Sequence, residues 1–243
     1  MLQLLAEDEA LTLSALSLLE DPVPEGWEQP KLTYDFEVVA EALQQHFGGL
    51  PFDDVVKKLQ LLDGNTFVLN PTLTRVVEKA ASKAENRAQI TAWTVGKSDS
   101  EPVYATAEAI GTSFVLHDVE SLKSLVSAMP EGRAREETLF AAIKTWGDRD
   151  LVSASEYLAT LSPSASTDLP NMNVSERLAE IDPANAMPWA MAIKDPDFRG
   201  MALVNAAGTW HQSEPKGYQQ WFQANRSNLS GEDRALLEAH FGK

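Results

Sequence analysis

Four histidines, His46, His117, His211 and His240, are the side chains best suited to bind a metal or move a proton near neutral pH. None stands beside other ligand types at the spacing of a zinc site, which needs three or four convergent donors. His117 and Asp118 are neighbours, but adjacent residues seldom point at one centre, and Asp118 reads as a helix cap. The chain holds no cysteine, so disulfides, thiolate ligands and thiol nucleophiles are excluded together. It has no nucleophile elbow and no glycine-rich phosphate loop. With 36 acidic residues, carboxylate pairs occur at many spacings and nothing selects one for general acid–base work. The expectation is a non-enzyme without cofactor or metal.

One charge pattern could mark a binding surface. Arg75, Lys79, Lys83 and Arg87 recur every four residues. On a continuous helix they would form one stripe, with each like-charged pair repelling by a few tenths of a kcal/mol (roughly 0.2–0.5). Such a stripe is either a solvated face, with Glu78 and Glu85 nearby, or a basic strip that docks an acidic partner. That partner could be the acidic remainder of another copy. The six tryptophans could stack a ligand, but aromatic residues at repeated positions more often fill a core. Asn173, Asn225 and Asn228 each open an Asn-x-Ser triplet, the glycosylation pattern, which is common by chance.

Charge narrows the partners. The net charge of -16 argues against nucleic acid, whose affinity comes mainly from Lys and Arg on phosphate. It argues equally against an anionic membrane surface. No run approaches the ~20 apolar residues of a membrane helix, so no membrane insertion is expected. "MLQLLAEDEALTLSALSLLE" carries acid and no Lys or Arg, unlike a secretory signal. A cytoplasmic location is favoured, or a periplasmic one had a targeting segment been removed. The apolar fraction of 44% is enough for a sizeable core.

The elements that would carry these residues repeat. Every 32 residues, Leu50, Ser82, Phe114, Trp146, Leu178 and Trp210 fall in register. Four residues on stand Asp54, Asn86, Asp118, Asp150, Asp182 and Glu214, all acidic or Asn. Eleven residues on stand Leu61, Trp93, Leu125, Tyr157, Trp189 and Trp221, all large and apolar. The Asp or Asn predicts an N-cap, because its side-chain oxygen accepts from early helix N–H groups. Pro183 and Pro215 follow as first helical residues, where a missing N–H costs nothing. Ser213 is expected to cap the copy in which Glu214 replaces Asp. Trp210 and Trp221 should then lie on consecutive helices with Glu214-Pro215 as the corner.

A second helix recurs in "REETLFAAIKTW" and "RGMALVNAAGTW", with apolar residues three and four apart. Asn70-Pro71, Glu101-Pro102 and Asp195-Pro196 are read as starts of such helices. "GKSDSEP" and "SPSASTDLP" are read as corners. "YDFEVVAEALQQHFGG" reads as a helix of an incomplete first unit, preceded by a Leu- and Ala-rich helix over residues 2–20. Trp27, in the proline-rich segment between them, lies outside the register. Ser230 is read as the cap of a last helix, "GEDRALLEAHF".

"IDPANAMPW" resembles the junction of a tetratricopeptide repeat. There an acidic-Pro turn is followed by Ala and by an aromatic residue six past the proline, as in Pro183 to Trp189 and Pro215 to Trp221. The resemblance covers the corner alone. The period is 32 and not 34, and Ala192, Ile193 and Pro196 stand where that family carries Leu-Gly and Tyr. It implies an α-solenoid that docks other proteins or peptides. The expected fold is all-α: a right-handed α-solenoid of about six to seven antiparallel two-helix repeats. It forms one domain over 1–243, with an N-terminal capping unit at 1–49, repeats over 50–225 and a capping helix at 226–243. The expected function is a non-enzymatic protein- or peptide-binding scaffold or adaptor. An enzyme with an acidic groove, or a structural subunit of an assembly, is the alternative.

Overall fold

A computed structural model of the chain describes residues 52–59 and 66–242. The expected N-terminal helices, Trp27, His46 and Leu61 lie outside the described residues. All regular structure among the described residues is helical. The contacts divide the chain into two compact units, Met1–Pro130 and Glu131–Lys243.

The first unit holds α1 (Phe52–Leu59), α2 (Thr66–Ala80), α3 (Ala84–Gly96), α4 (Glu101–His117) and α5 (Val119–Ala128). Its main packing joins α2 to α4 and α4 to α5, with α1 on α2 and α3. Phe52, Ile90, Ile110, Phe114, Leu122 and Leu125 are fully buried there. The second unit holds α6 (Arg133–Ala159), α7 (Ala165–Ile181), α8 (Pro183–Ala192), α9 (Pro196–Ser213), α10 (Pro215–Asn225) and α11 (Gly231–Phe241). Asp150 has non-helical dihedrals (φ -156°, ψ 87°), so α6 is two helices joined at that residue. In this unit α7 packs on α6, α8 and α9, and α9 packs on α8, α10 and α11. Alanines 186, 190, 202, 206 and 207 are buried where these helices meet. Their small side chains permit close approach of the backbones.

The sequence period reappears as a period of corners. The residues Asp118, Asp150, Asp182 and Glu214 each stand at the break between one helix and the next. Asp118 accepts from the N–H groups of Glu120 and Ser121, Asp150 from Ser153, and Asp182 from Asn185. Glu214 makes no cap bond. Ser213 does not replace it: it ends α9, and its hydroxyl donates back to the Thr209 carbonyl. The Glu214 carboxylate instead folds over the first turn of α10, where a Cβ on Gly217 would lie only 2.7 Å from it. From there it takes a long bond, 3.4 Å, from the Trp210 indole N–H.

The two earlier copies depart from the pattern. Asp54 and Asn86 are not caps but third residues of α1 and α3. For Asn86 the reason is that α2 stops at Ala80, so its corner falls before the register position. Asn70-Pro71 lies inside α2 and not at its start. Asp195 does cap α9, accepting from Asp197 and Phe198, and Ser230 caps α11 through the Asp233 N–H. "GKSDSEP" spans the turn before α4, but "SPSASTDLP" is mostly helical, since α7 starts at Ala165 and contains Pro170. There Thr167 Oγ1 accepts from the Ser164 N–H, a local bond that starts the helix early.

The tryptophans now have a structural account. Trp146 stacks on Tyr157 across the Asp150 corner, with ring centroids 5.8 Å apart. Trp210 and Trp221 meet across the Glu214 corner at 6.0 Å. In these two copies the first and twelfth positions therefore touch across the break. Burial is less complete than a core reading expects: Trp210 is buried, whereas Trp93, Trp146, Trp189 and Trp221 are half-buried.

Candidate functional site

The basic residues do not share one helical face. Arg75 is half-buried, Lys79 is exposed in the last turn of α2, and Lys83 is exposed in the turn before α3. Arg87 points inward. Its Nη1 donates to the carbonyls of Ala81 (2.8 Å) and Ser82 (3.3 Å), and its Nη2 donates to Asp118 (3.2 Å). A guanidinium has five donors in a rigid fork, so one side chain can hold a corner and a neighbouring cap together.

Arg199 does the same work in the second unit. Like Arg87 in α3, it is the fourth residue of its helix. Its Nη1 donates to the carbonyls of Ile193 and Lys194, and its Nε donates to both oxygens of the buried Asp233 (3.0 and 3.1 Å). The same corner is held from the other side. Asp168 is 3% exposed and accepts from the N–H groups of Lys194 (2.7 Å) and Asp195 (2.9 Å). A buried carboxylate on α7 thus satisfies the free N–H groups between α8 and α9. These clamps escaped the sequence reading because each joins residues 26–34 positions apart in the chain. The legible trace was the placement of Arg87 and Arg199, each just after a corner.

Charge at the corners gives stability a dependence on pH. The Ser121 hydroxyl and N–H, then Arg87, hold the Asp118 carboxyl below its ordinary value of 3.8, and Ser153 does the same for Asp150. A lowered folded value stabilises above the ordinary one, and that contribution is lost as pH falls through the folded value. Glu136 has the opposite sign. Burial, then the charges of Glu137 and Asp168, push it above its ordinary 4.5. Its ionised form therefore disfavours the fold, and that cost appears as pH rises. We expect Glu136→Gln to raise the melting temperature at about pH 7 and to change it little near pH 4. Thermal melts at both values check this.

The histidines occupy separate settings. His117 is exposed at the end of α4. His211 packs against Tyr218 and Phe241, and His240 Nδ1 lies 2.9 Å from the Leu236 carbonyl. Among the described residues no three His, Cys, Asp or Glu side chains converge as metal ligands. No described helix is long and apolar enough to cross a membrane. Of the triplet asparagines, Asn173 lies half-buried on α7, Asn225 ends α10 and donates to the Trp221 carbonyl, and Asn228 is exposed.

An open groove that the sequence reading did not find runs between α9 and α11. It has a volume of about 570 Å3, and Gly200, Met201, Val204 and Leu236 form its apolar lining. Asp197, Asn205 and His240 supply its polar positions. A Cβ on Gly200 would come within 3.2 Å of the Leu236 side chain, so glycine permits the close approach of α11. Met201 is 58% exposed, an unusual setting for a large thioether side chain, and Phe198 nearby is 36% exposed. Flexible methionine at a surface suits contact with a partner's apolar side chains. No protein-family model, curated protein or solved structure matches the chain.

Proposed function

We propose that the chain is a non-enzymatic docking protein that recognises another protein or a peptide. In this reading the helical hairpins form a right-handed α-solenoid of about six to seven two-helix repeats, resembling tetratricopeptide arrays. The regular corners at Asp118, Asp150, Asp182 and Glu214 support the repeat. The observation that carries the docking role is the α9–α11 groove, where Met201 presents apolar surface to solvent beside Val204 and Leu236. A helical scaffold suits this work, since its repeats present an extended surface without bringing catalytic groups together. In Arg75, Lys79 and Lys83 the first unit offers cations to an acidic partner. Arg87 is occupied in its corner.

Affinity capture with the full chain as bait, against a Met201→Asp bait, tests the role. Met201 is largely exposed, so the charge should leave the fold intact while weakening the partner at least tenfold, or about 1.4 kcal/mol. Equal capture by both baits would remove the groove from the account.

A further inference from the structure

A second cleft opens between α10 and α11, with a volume of about 530 Å3, inside the usual range of small-ligand sites at about 300–1,000 Å3. Three aromatic rings form its apolar side. Phe222 stacks on Tyr218 at 6.1 Å, and Phe241 meets Tyr218 edge to face at 5.6 Å. Tyr218 is buried, and its hydroxyl is pushed up to about 12 by that burial, so it stays protonated. Phe222 and Phe241 are half-buried and keep ring surface open. Gln219 and Gln223, one turn apart on α10, are exposed along the same cleft. Arg226 and Glu238 also line it, and the Nε and Nη2 of Arg226 both donate to Glu238 Oε1 (3.1 and 2.7 Å).

This chemistry selects a neutral occupant. The two charges offset each other, since Arg226 and Glu238 are already paired through one carboxylate oxygen, and a charged ligand would compete with that pair. The open ring surface favours another aromatic ring, stacked offset or edge-on. Each glutamine amide offers donors and an acceptor, which complement the N–H and C=O of an extended backbone. The volume exceeds one side chain, so it has room for flanking main chain. We infer that the α10–α11 cleft receives an aromatic side chain of a peptide, with the Gln219 and Gln223 amides bonded to the backbone beside it. This rests on the docking reading and gives it a specificity: the partner carries an exposed Trp, Tyr or Phe.

The test is a nuclear magnetic resonance titration of the full chain with N-acetyl-L-tryptophanamide. N-acetyl-L-alaninamide and methyl β-glucoside serve as comparison probes. The indole probe should shift the Gln219 and Gln223 side-chain amide signals saturably, and the alanine probe should not. Gln219→Arg with Gln223→Arg, both on exposed positions, should keep the melting temperature and weaken the indole probe by roughly tenfold. Four results would each overturn the assignment: no shift at these amides, equal response to the alanine probe, tighter binding of the glucoside, or indole binding unchanged by the double variant. The docking role is read separately by the Met201→Asp comparison. A silent cleft beside a Met201-dependent partner therefore rejects this inference alone.

Discussion

Trp210→Ala is expected to destabilise the second unit by about 3–5 kcal/mol, the usual cost of truncating a buried large aromatic side chain. The indole is 6% exposed. Its ring lies 6.0 Å from Trp221 and 6.3 Å from Tyr218. Neither neighbour can collapse into the space, because each is fixed on α10, beyond the corner that Trp210 helps to close. The loss therefore combines transfer of the ring with a residual cavity. Urea unfolding measures it as a lowered midpoint with an unchanged slope. Trp221→Ala should cost less, about 1–3 kcal/mol, because Trp221 is only half-buried and part of its transfer gain is absent.

Asp168→Ala is expected to cost about 2–4 kcal/mol. Two terms add: loss of two charge-assisted bonds to backbone, and two part-buried N–H groups left without a protein acceptor. The Lys194 and Asp195 N–H groups lie at the end of α8, outside the ladder of either helix, so no other backbone carbonyl replaces the carboxylate. Asp168→Asn should recover part of the loss, since the amide oxygen accepts one bond while its NH2 faces a donor. The order wild type, Asn, Ala in urea midpoint is the signature of the clamp. Equal midpoints for Asn and wild type would mean that shape alone holds the corner.

The corners were legible because their chemistry is local. Asp118, Asp150 and Asp182 cap through N–H groups two or three residues on, and a cap needs only the right side chain at the right place. Asp54 and Asn86 carry the same side-chain types and fail because α1 and α3 begin earlier, which a fixed period cannot register. Ser213 is the cap expected in place of Glu214, a poor capping residue. Its longer side chain goes to the Trp210 indole instead, over a glycine whose value lies in the space it leaves. The basic residues misled for a related reason. Spacing of four implies a face only if the helix continues, and the break after Ala80 turns Arg87 into a corner clamp. The α9–α11 groove was invisible in sequence, since Met201 and Leu236 face each other only after two helices are placed. The acidic charge of -16 described partners in general and said nothing of where they would sit.

The account depends on one claim: in the second unit, the first and twelfth positions of the 32-residue period pack together across the corners at Asp150 and Glu214. Double-mutant cycles test it most directly, one on Trp146 and Tyr157 and one on Trp210 and Trp221, read by urea unfolding. Aromatic pairs in contact couple by about 0.5–1.5 kcal/mol beyond their burial, and both cycles should fall in that range. Additive single-mutant effects in either cycle would contradict it, because rings that do not meet across the corner cannot be what makes the period.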